Sequence, residues 1–286
     1  MPSTTTDASG LLLMVATPIG NLGDISLRAQ EALEAADLIV AEDTRRTRKL
    51  LSYLGIDKPI ESFHAHSNDY KLDDILIRLQ RGETVAYVSD AGTPTVSDPG
   101  AELAKASRAA GVSVSPIPGP SAITAALSAS GMNADRFIFL GYPPRKAGPR
   151  LDFFRLVLAQ SLTVVLYEAP HRIAKTLREL AVLEADRHAV IGREMTKKFE
   201  QFIPGTLAEL ARYFADNEPR GEFVILIEGA ATQPSEPVAD ETVIASVLGD
   251  LLASGMSVGD AADAVAKLTP ISRRRVYRMA VRAAQR

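Results

Sequence analysis

Short, continuously apolar runs alternate with helix-length amphipathic stretches along the first two-thirds of this 286-residue chain, and no other feature restricts its fold as strongly. The runs are Leu12–Ala16, Leu38–Glu42, Thr84–Ser89, Ser113–Ile117, Phe137–Gly141, Leu162–Tyr167, Ala189–Arg193 and Phe223–Glu228. Most lack the alternation of a strand with one wet face, so they are expected in sheets covered on both sides. Their order predicts parallel strands joined by helical crossovers, an α/β architecture. Helical patterns fall at Leu27–Ala36, Arg45–Leu54, Leu72–Gln80, Ala101–Ala110, Ser121–Ser130, Arg150–Ala159, Arg172–Leu183 and Leu207–Ala215. Gly55, Gly82, Gly111 and Gly131 follow four of these, where a left-handed residue closes a helix.

Two breaks divide the chain. Gly141-Tyr-Pro-Pro-Arg-Lys-Ala-Gly-Pro-Arg150 is rich in Pro, Gly and positive charge, which predicts a basic linker over 142–150 between an N-terminal lobe at 11–141 and a C-terminal lobe at 151–230. After Ala230-Ala-Thr-Gln-Pro-Ser-Glu-Pro237 the spacing becomes purely helical, at Thr242–Ala253, Val258–Leu268 and Ser272–Ala284, with Ser257 and Ser272 as N-caps. A small three-helix unit over 240–286 is expected. Its last helix carries Arg273, Arg274, Arg275, Arg278 and Arg282, with no acid from Thr269 onward. Residues 1–10 read as a disordered tail.

Composition removes several function classes. Without cysteine there are no disulfides, thiolate zinc sites, iron–sulfur clusters or cysteine nucleophiles, and a reducing compartment is expected. The run Leu11–Ala16 is too short for a signal sequence or a membrane span, so the expectation is a cytoplasmic protein without a membrane partner. A net charge of −3 argues against a uniformly basic coat but leaves room for local patches.

Ligands of open α/β sheets bind beyond the carboxyl ends of strands, and the unusual turns of this sequence lie there. They are Thr17-Pro-Ile-Gly-Asn-Leu-Gly-Asp24, Glu42-Asp-Thr-Arg45, Ser89-Asp-Ala-Gly-Thr-Pro-Thr-Val-Ser-Asp-Pro-Gly100, Ile117-Pro-Gly-Pro-Ser-Ala122, Leu166-Tyr-Glu-Ala-Pro-His-Arg172 and Arg193-Glu-Met-Thr-Lys-Lys198. Each alone suits an ordinary tight turn. Together they collect carboxylates and arginines in one crevice, which is costly unless a ligand uses it. A P-loop and a Gly-x-Gly-x-x-Gly turn are both absent, which argues against those nucleotide sites. His64-Ala-His66 offers two metal ligands without a third, so no metal is expected.

As a set, the turns Thr17-Pro-Ile-Gly-Asn-Leu, Ala41-Glu-Asp-Thr-Arg, Ser89 to Gly100, Pro118-Gly-Pro-Ser-Ala, Tyr167-Glu-Ala-Pro-His-Arg and Arg193-Glu-Met-Thr-Lys resemble the tetrapyrrole methylase superfamily. Within it they resemble the bacterial 16S rRNA 2′-O-ribose methyltransferases, over Leu11–Glu228 in uninterrupted order. The resemblance implies two α/β lobes with S-adenosylmethionine in the cleft between them, a helix-turn-helix-like appendage and a homodimer. It also implies a substrate: the ribose of a decoding-centre cytidine in 16S rRNA within the small ribosomal subunit. For the cofactor it implies Asp90, Ala91 and Gly92 at a strand end. Thr95, Val96, Ser97, Ser121 and Ala122 would close over methionine and ribose, Leu166 and Tyr167 would cover adenine, and Pro18 and Ile19 would line the floor.

Methylating a ribose hydroxyl needs placement of the oxygen and removal of its proton. Glu42, Asp43, Glu168 and Glu194 are candidate bases, and Lys146 and Lys197 candidate helpers; ion pairing with Arg45, Arg172 and Arg193 is the alternative use of these charges. Arg45, Arg145, Lys146, Arg172, Arg274, Arg275, Arg278 and Arg282 are the candidate RNA contacts, since phosphate neutralisation is the usual use of clustered arginine. A superfamily methyltransferase with a non-RNA substrate and a non-enzymatic ribosome-binding factor are the competing readings.

Overall fold

The computed structural model describes residues 10–63, 69–97, 100–217, 219–230, 241–269 and 271–284. The chain separates into two units after Ala230. The larger unit contains two sheets.

The first sheet is formed by β1 (Leu11–Val15), β2 (Leu38–Ala41), β3 (Ile60–Ser62), β4 (Thr84–Val88) and β5 (Ser113–Ile117), in the order β3-β2-β4-β1-β5. Every pairing in it is parallel. Leu13, Val15, Ile39 and Ala86 pack with α1 (Leu27–Ala35) and α2 (Thr44–Leu54) on one face. Leu12, Leu38, Val40, Val85 and Tyr87 pack with α3 (Asp69–Gln80) and α4 (Ala101–Ala109) on the other. Successive side chains of a strand point to opposite faces, so a sheet covered twice needs an unbroken apolar run. Each fully buried aliphatic side chain contributes about 1.5–3 kcal/mol.

The second sheet comprises β6 (Phe137–Phe139), β7 (Thr163–Glu168), β8 (His188–Arg193), β9 (Gln201–Thr206) and β10 (Phe223–Ile227), in the order β6-β7-β10-β8-β9. Here the expectation of parallel strands fails: only β6–β7 is parallel. One face packs on α6 (Ala147–Leu158), α7 (Ile173–Leu183) and α8 (Leu207–Asp216). The other, through Val165, Val190, Val224 and Leu226, packs on Ile123, Ala126 and Leu127 of α5 (Ala122–Ser130).

Two expectations differ from this topology, and two strands were not anticipated. Because α5 packs on the second sheet and β6 pairs within it, the first lobe ends before Ala122 and not at 141. The linker over 142–150 is also shorter than its composition suggested, since α6 begins at Ala147. Strands β3 and β9 were not legible, β3 being three residues long and β9 containing Pro204, which is tolerated because β9 is an edge strand.

The smaller unit consists of α9 (Glu241–Ala253), α10 (Val258–Leu268) and α11 (Arg273–Ala284) around Leu248, Ala261, Val265, Val276 and Ala280. The Ser257 side chain accepts from the Asp260 main-chain N–H at 3.2 Å, capping α10 as expected. No helix among the described residues is long and apolar enough to cross a membrane. The expected tail at 1–9 and the His64–His66 pair lie outside the described residues.

Candidate active site

The carboxyl ends of β2, β4 and β5 face the end of β7 and the start of β10 across a cleft of about 350 Å³. The Ser89–Gly92 turn is clamped to the end of β1. Main-chain bonds of 3.0 and 2.9 Å join Thr17 and Gly92 in both directions, and the buried Thr17 hydroxyl donates to the Ser89 carbonyl at 2.8 Å. Gly92 has φ +81, and a Cβ there would lie 3.3 Å from Ile19 Cγ2. Glycine thus serves both the backbone conformation and the close approach.

Asp90 ties this turn to α2. Its Oδ1 accepts from the Asp43 main-chain N–H at 2.8 Å, and its Oδ2 stands 4.0 Å from Arg46 Nε. Asp43 caps α2 by accepting from the Arg45 main-chain N–H, and it pairs with the Arg45 guanidinium at 3.1 Å. Hydrogen bonds from the Arg45 side chain and main chain pull the Asp43 carboxyl down to about 2. Glu42 lines the cleft with no hydrogen bond or ion pair among the described residues.

The opposite wall is aromatic. Tyr167 packs against Phe139 and Tyr142, with ring centroids 4.8 and 5.5 Å away. Burial, with a smaller contribution from Tyr142, pushes the Tyr167 hydroxyl up to about 12, so it stays neutral and available as a donor at ordinary pH. Leu166, one residue earlier on the strand, points its side chain into the core beneath α6 and α7, so a cofactor could reach only its main chain.

Glu168 borders the cleft, but its carboxylate is turned into a buried cluster. It accepts from the Thr176 hydroxyl and from the Ala169 main-chain N–H at 2.9 Å. Arg172 Nε lies 3.3 Å away and Arg150 Nη2 3.8 Å away. The same arginines donate to the linker: Arg172 to the Pro143 and Pro144 carbonyls, and Arg150 to the Pro144 carbonyl at 3.2 Å. Glu168, a candidate base, is thus engaged by structural partners, and Arg172, a candidate RNA contact, holds the linker.

Glu194 and Lys197 form a pair of their own at 2.9 Å, and Lys197 also reaches Glu222 at 3.2 Å. Desolvation works against both charges, yet their mutual hydrogen bond and the contacts to Glu222 outweigh it, holding Glu194 below and Lys197 above the ordinary range. Neither lines the cleft. The Thr196 hydroxyl accepts from the Asn21 main-chain N–H at 3.0 Å and so bridges the two lobes.

Of the expected cofactor contacts, Ile19, Asp90, Ala91, Gly92, Val96, Ser97, Ser121, Ala122 and Tyr167 line the cleft, whereas Pro18, Thr95 and Leu166 do not. Asp43, Arg45 and Lys146 also lie outside its lining. Arg145 and Lys146 are exposed on the linker. In α11, Arg274, Arg275, Arg278 and Arg282 are exposed while Val276 and Ala280 are buried. Sequence reasoning missed Arg46, Tyr142, Met195 and Glu222. Arg46 adjoins a motif already noted and was within reach. Glu222 had no local signal, because it enters the cleft only through the antiparallel direction of β10, which sets Phe223 opposite Glu168.

Residues 11–211 match the family model of the Tetrapyrrole (Corrin/Porphyrin) Methylases. The chain belongs to the tetrapyrrole methylase family. A relative from Synechocystis sp. is 43% identical over 273 residues, covering 95% of this chain and 98% of its own, and is named ribosomal RNA small subunit methyltransferase I. One from Xylella fastidiosa with the same name is 45% identical over 94% of this chain and 98% of its own. Among solved structures, cobalt precorrin-4 methyltransferase superposes with a TM-score of 0.61 at 17% identity, over 80% of this tetrapyrrole methylase and 98% of that enzyme. Diphthine synthase does so with a TM-score of 0.61 at 18% identity, over 77% and 90%. At such identities these two superpositions concern the fold alone.

Proposed function

We propose that this tetrapyrrole methylase uses S-adenosylmethionine to methylate the ribose 2′-hydroxyl of a decoding-centre cytidine in 16S rRNA, acting on the small ribosomal subunit as a cytoplasmic homodimer. The observation that carries the reading is the identity of 43% over 95% of the chain with a relative named ribosomal RNA small subunit methyltransferase I.

The cleft residues fit the cofactor. Ile19, Val96 and Ala122 supply apolar surface, Tyr142 and Tyr167 an aromatic wall, and the glycine backbone at 92 a close approach. Glu42 adds unpaired negative charge suited to a sulfonium, beside Asp90 and Glu222, whose charges are shared with Arg46 and Lys197. Asp90, Ala91 and Gly92 would hold the cofactor from the first lobe, with Val96, Ser97, Ser121 and Ala122 around methionine and ribose and Tyr167 over the adenine. When bound, S-adenosylmethionine supplies an electrophilic methyl group.

Glu42 is the preferred proton acceptor, since it alone among the four candidate carboxylates lines the cleft without a partner among the described residues. Placement of the hydroxyl contributes the larger share of the acceleration, because orientation effects exceed the typical gain from one general base. Arg145 and Lys146 on the linker, and the arginine stripe of α11, are the RNA contacts. Transfer of a labelled methyl group to small subunits lacking the modification, followed by mapping of the labelled nucleotide, tests substrate, position and activity together. Label found on a base or on a protein side chain would overturn the reading.

A further inference from the structure

A second depression, about 530 Å³ in volume, opens beside the cleft and shares Glu42 and Asp90 with it. Asp43, Thr44, Arg45 and Ser62 complete its wall. Its outer bank is α2, which buries Thr47, Leu50 and Leu51 and exposes Arg45, Arg46, Arg48 and Lys49. No acidic residue lies within Thr44–Leu54 to offset these charges.

Of its three carboxylates, Glu42 has no partner among the described residues, while Asp43 and Asp90 face cations. Asp43 is paired with Arg45, and Asp90 stands near Arg46, yet those arginine side chains remain 84% and 59% exposed. Arg48 and Lys49 have no hydrogen bond or ion pair among the described residues. A cationic helix face by itself is usually only solvated surface. This one differs in being continuous with the cleft, because Arg46 lines the cleft while Arg45 lines the adjoining depression.

We propose that this groove takes the RNA strand flanking the methylated nucleotide, with phosphates lying on Arg45 and Arg46 at the groove and continuing along the exposed face of α2 past Lys49 and Arg48. The inference rests on the RNA-methyltransferase reading above. A ribose can enter a cleft of about 350 Å³ only if its nucleotide leaves the stack, and the adjoining backbone must then emerge at the cleft mouth. Such a single strand is commonly held by a positively charged groove that tracks its backbone. Lys49 stands three and four residues from Arg46 and Arg45, and Arg48 three from Arg45, so the cationic surface continues along α2 beyond the groove, with Arg48 bordering a separate depression beside Leu51 and Ile56. The Thr44 and Ser62 hydroxyls supply hydrogen-bond partners to ribose or phosphate oxygens at the groove wall.

The test is the double variant Arg48→Gln/Lys49→Gln, which leaves the Asp43–Arg45 cap and the Asp90–Arg46 contact intact. Binding to small subunits lacking the modification is measured across a salt series, together with KM for subunits, cofactor affinity by calorimetry and oligomeric state by light scattering. The expected result is a salt slope reduced by about one to two units and a rise in subunit KM of roughly tenfold, with cofactor affinity and oligomeric state unchanged. Arg48→Lys alone keeps the charge and should retain the wild-type slope. An unchanged slope and KM in the double variant overturns the proposal, as does a shift in oligomeric state, which would make α2 an interface between copies. Failure of the wild-type protein to bind or methylate small subunits overturns the underlying reading, whereas success of wild type and double variant alike overturns the groove only.

Discussion

Arg172 Nε lies 3.3 Å from Oε1 of Glu168, and the two side chains are 16% and 0% exposed. Arg150, itself 4% exposed, approaches the other carboxylate oxygen at 3.8 Å. Two guanidiniums thus converge on one buried carboxylate, and their remaining donors hold the Pro143 and Pro144 carbonyls. The linker that presents Tyr142 to the cleft is thereby fastened to the end of β7. A buried ion cluster is a poor source of net stability, because desolvation offsets most of its attraction. Its consequence here is a fixed geometry between the cleft wall and the linker.

Removing the carboxylate leaves Arg172 without a counter-charge in a buried position and leaves Arg150 with Glu179 alone, at 2.6 Å. Glu168→Ala should therefore lower the unfolding free energy by about 3–5 kcal/mol, and Arg172→Ala by less, since Arg172 is the more exposed partner and Arg150 remains. Urea denaturation at neutral pH measures both. A loss below about 1 kcal/mol for Glu168→Ala would show that the carboxylate does not organise the cluster.

Gly92→Val forces a β-branched residue to φ +81 and sets its Cβ 3.3 Å from Ile19 Cγ2. The expected outcome is loss of S-adenosylmethionine binding by at least about tenfold, with a smaller strain cost of about 1–3 kcal/mol to stability. Asp90→Ala should weaken cofactor binding with the fold retained. Calorimetric titration of both variants is the check, and wild-type affinity in the pair would remove this turn from the cofactor site.

The carboxyl of Asp43 is lowered from 3.8 to about 2. A depressed folded-state value means that this group's contribution is complete above its ordinary range and is lost as pH falls toward 2. Asp43→Asn keeps an N-cap oxygen but cannot ionise. Thermal melts from pH 7 down to about 2 should show a shallower acid limb for Asp43→Asn than for wild type. Superimposable acid limbs would mean that the Arg45 contact does not persist in solution.

Replacing Arg274, Arg275, Arg278 and Arg282 with Gln retains a helix former at each position and removes four charges from the exposed face of α11. Methylation of small subunits should fall, and the salt slope for binding should drop by about three units, while cofactor affinity holds. Deleting 240–286 should likewise leave a folded cofactor-binding protein, because that unit has its own core at Leu248, Val265 and Val276. Methylation at the wild-type rate by the Gln variant, at physiological salt, would reduce the stripe to solvated surface.

All the predicted strands are present, with ends displaced by no more than a few residues; the central ones, such as β2, β4 and β10, are doubly covered and so must be apolar nearly throughout, which is visible locally. The helices were legible for a related reason: a buried stripe repeats every three to four residues, as Leu50 and Leu51 of α2 and Val276 and Ala280 of α11 illustrate. Ser89–Gly92 and Ser121–Ala122 line the cleft, where their position after strand ends and the family resemblance put them.

What the tertiary structure decided is which charges meet. Glu42, Asp43, Glu168 and Glu194 are equivalent carboxylates in the sequence, but Asp43 caps a helix, Glu168 is enclosed by Arg150 and Arg172, Glu194 pairs with Lys197, and Glu42 alone among them lines the cleft without a partner among the described residues. Arg150 and Glu168 belong to different elements, and Glu222 reaches the cleft only because β10 runs antiparallel to β7. Apolar periodicity is a property of one segment and its solvent exposure, so the chain carries it openly. The partner of a charge is a property of two segments brought together, and no local pattern records it.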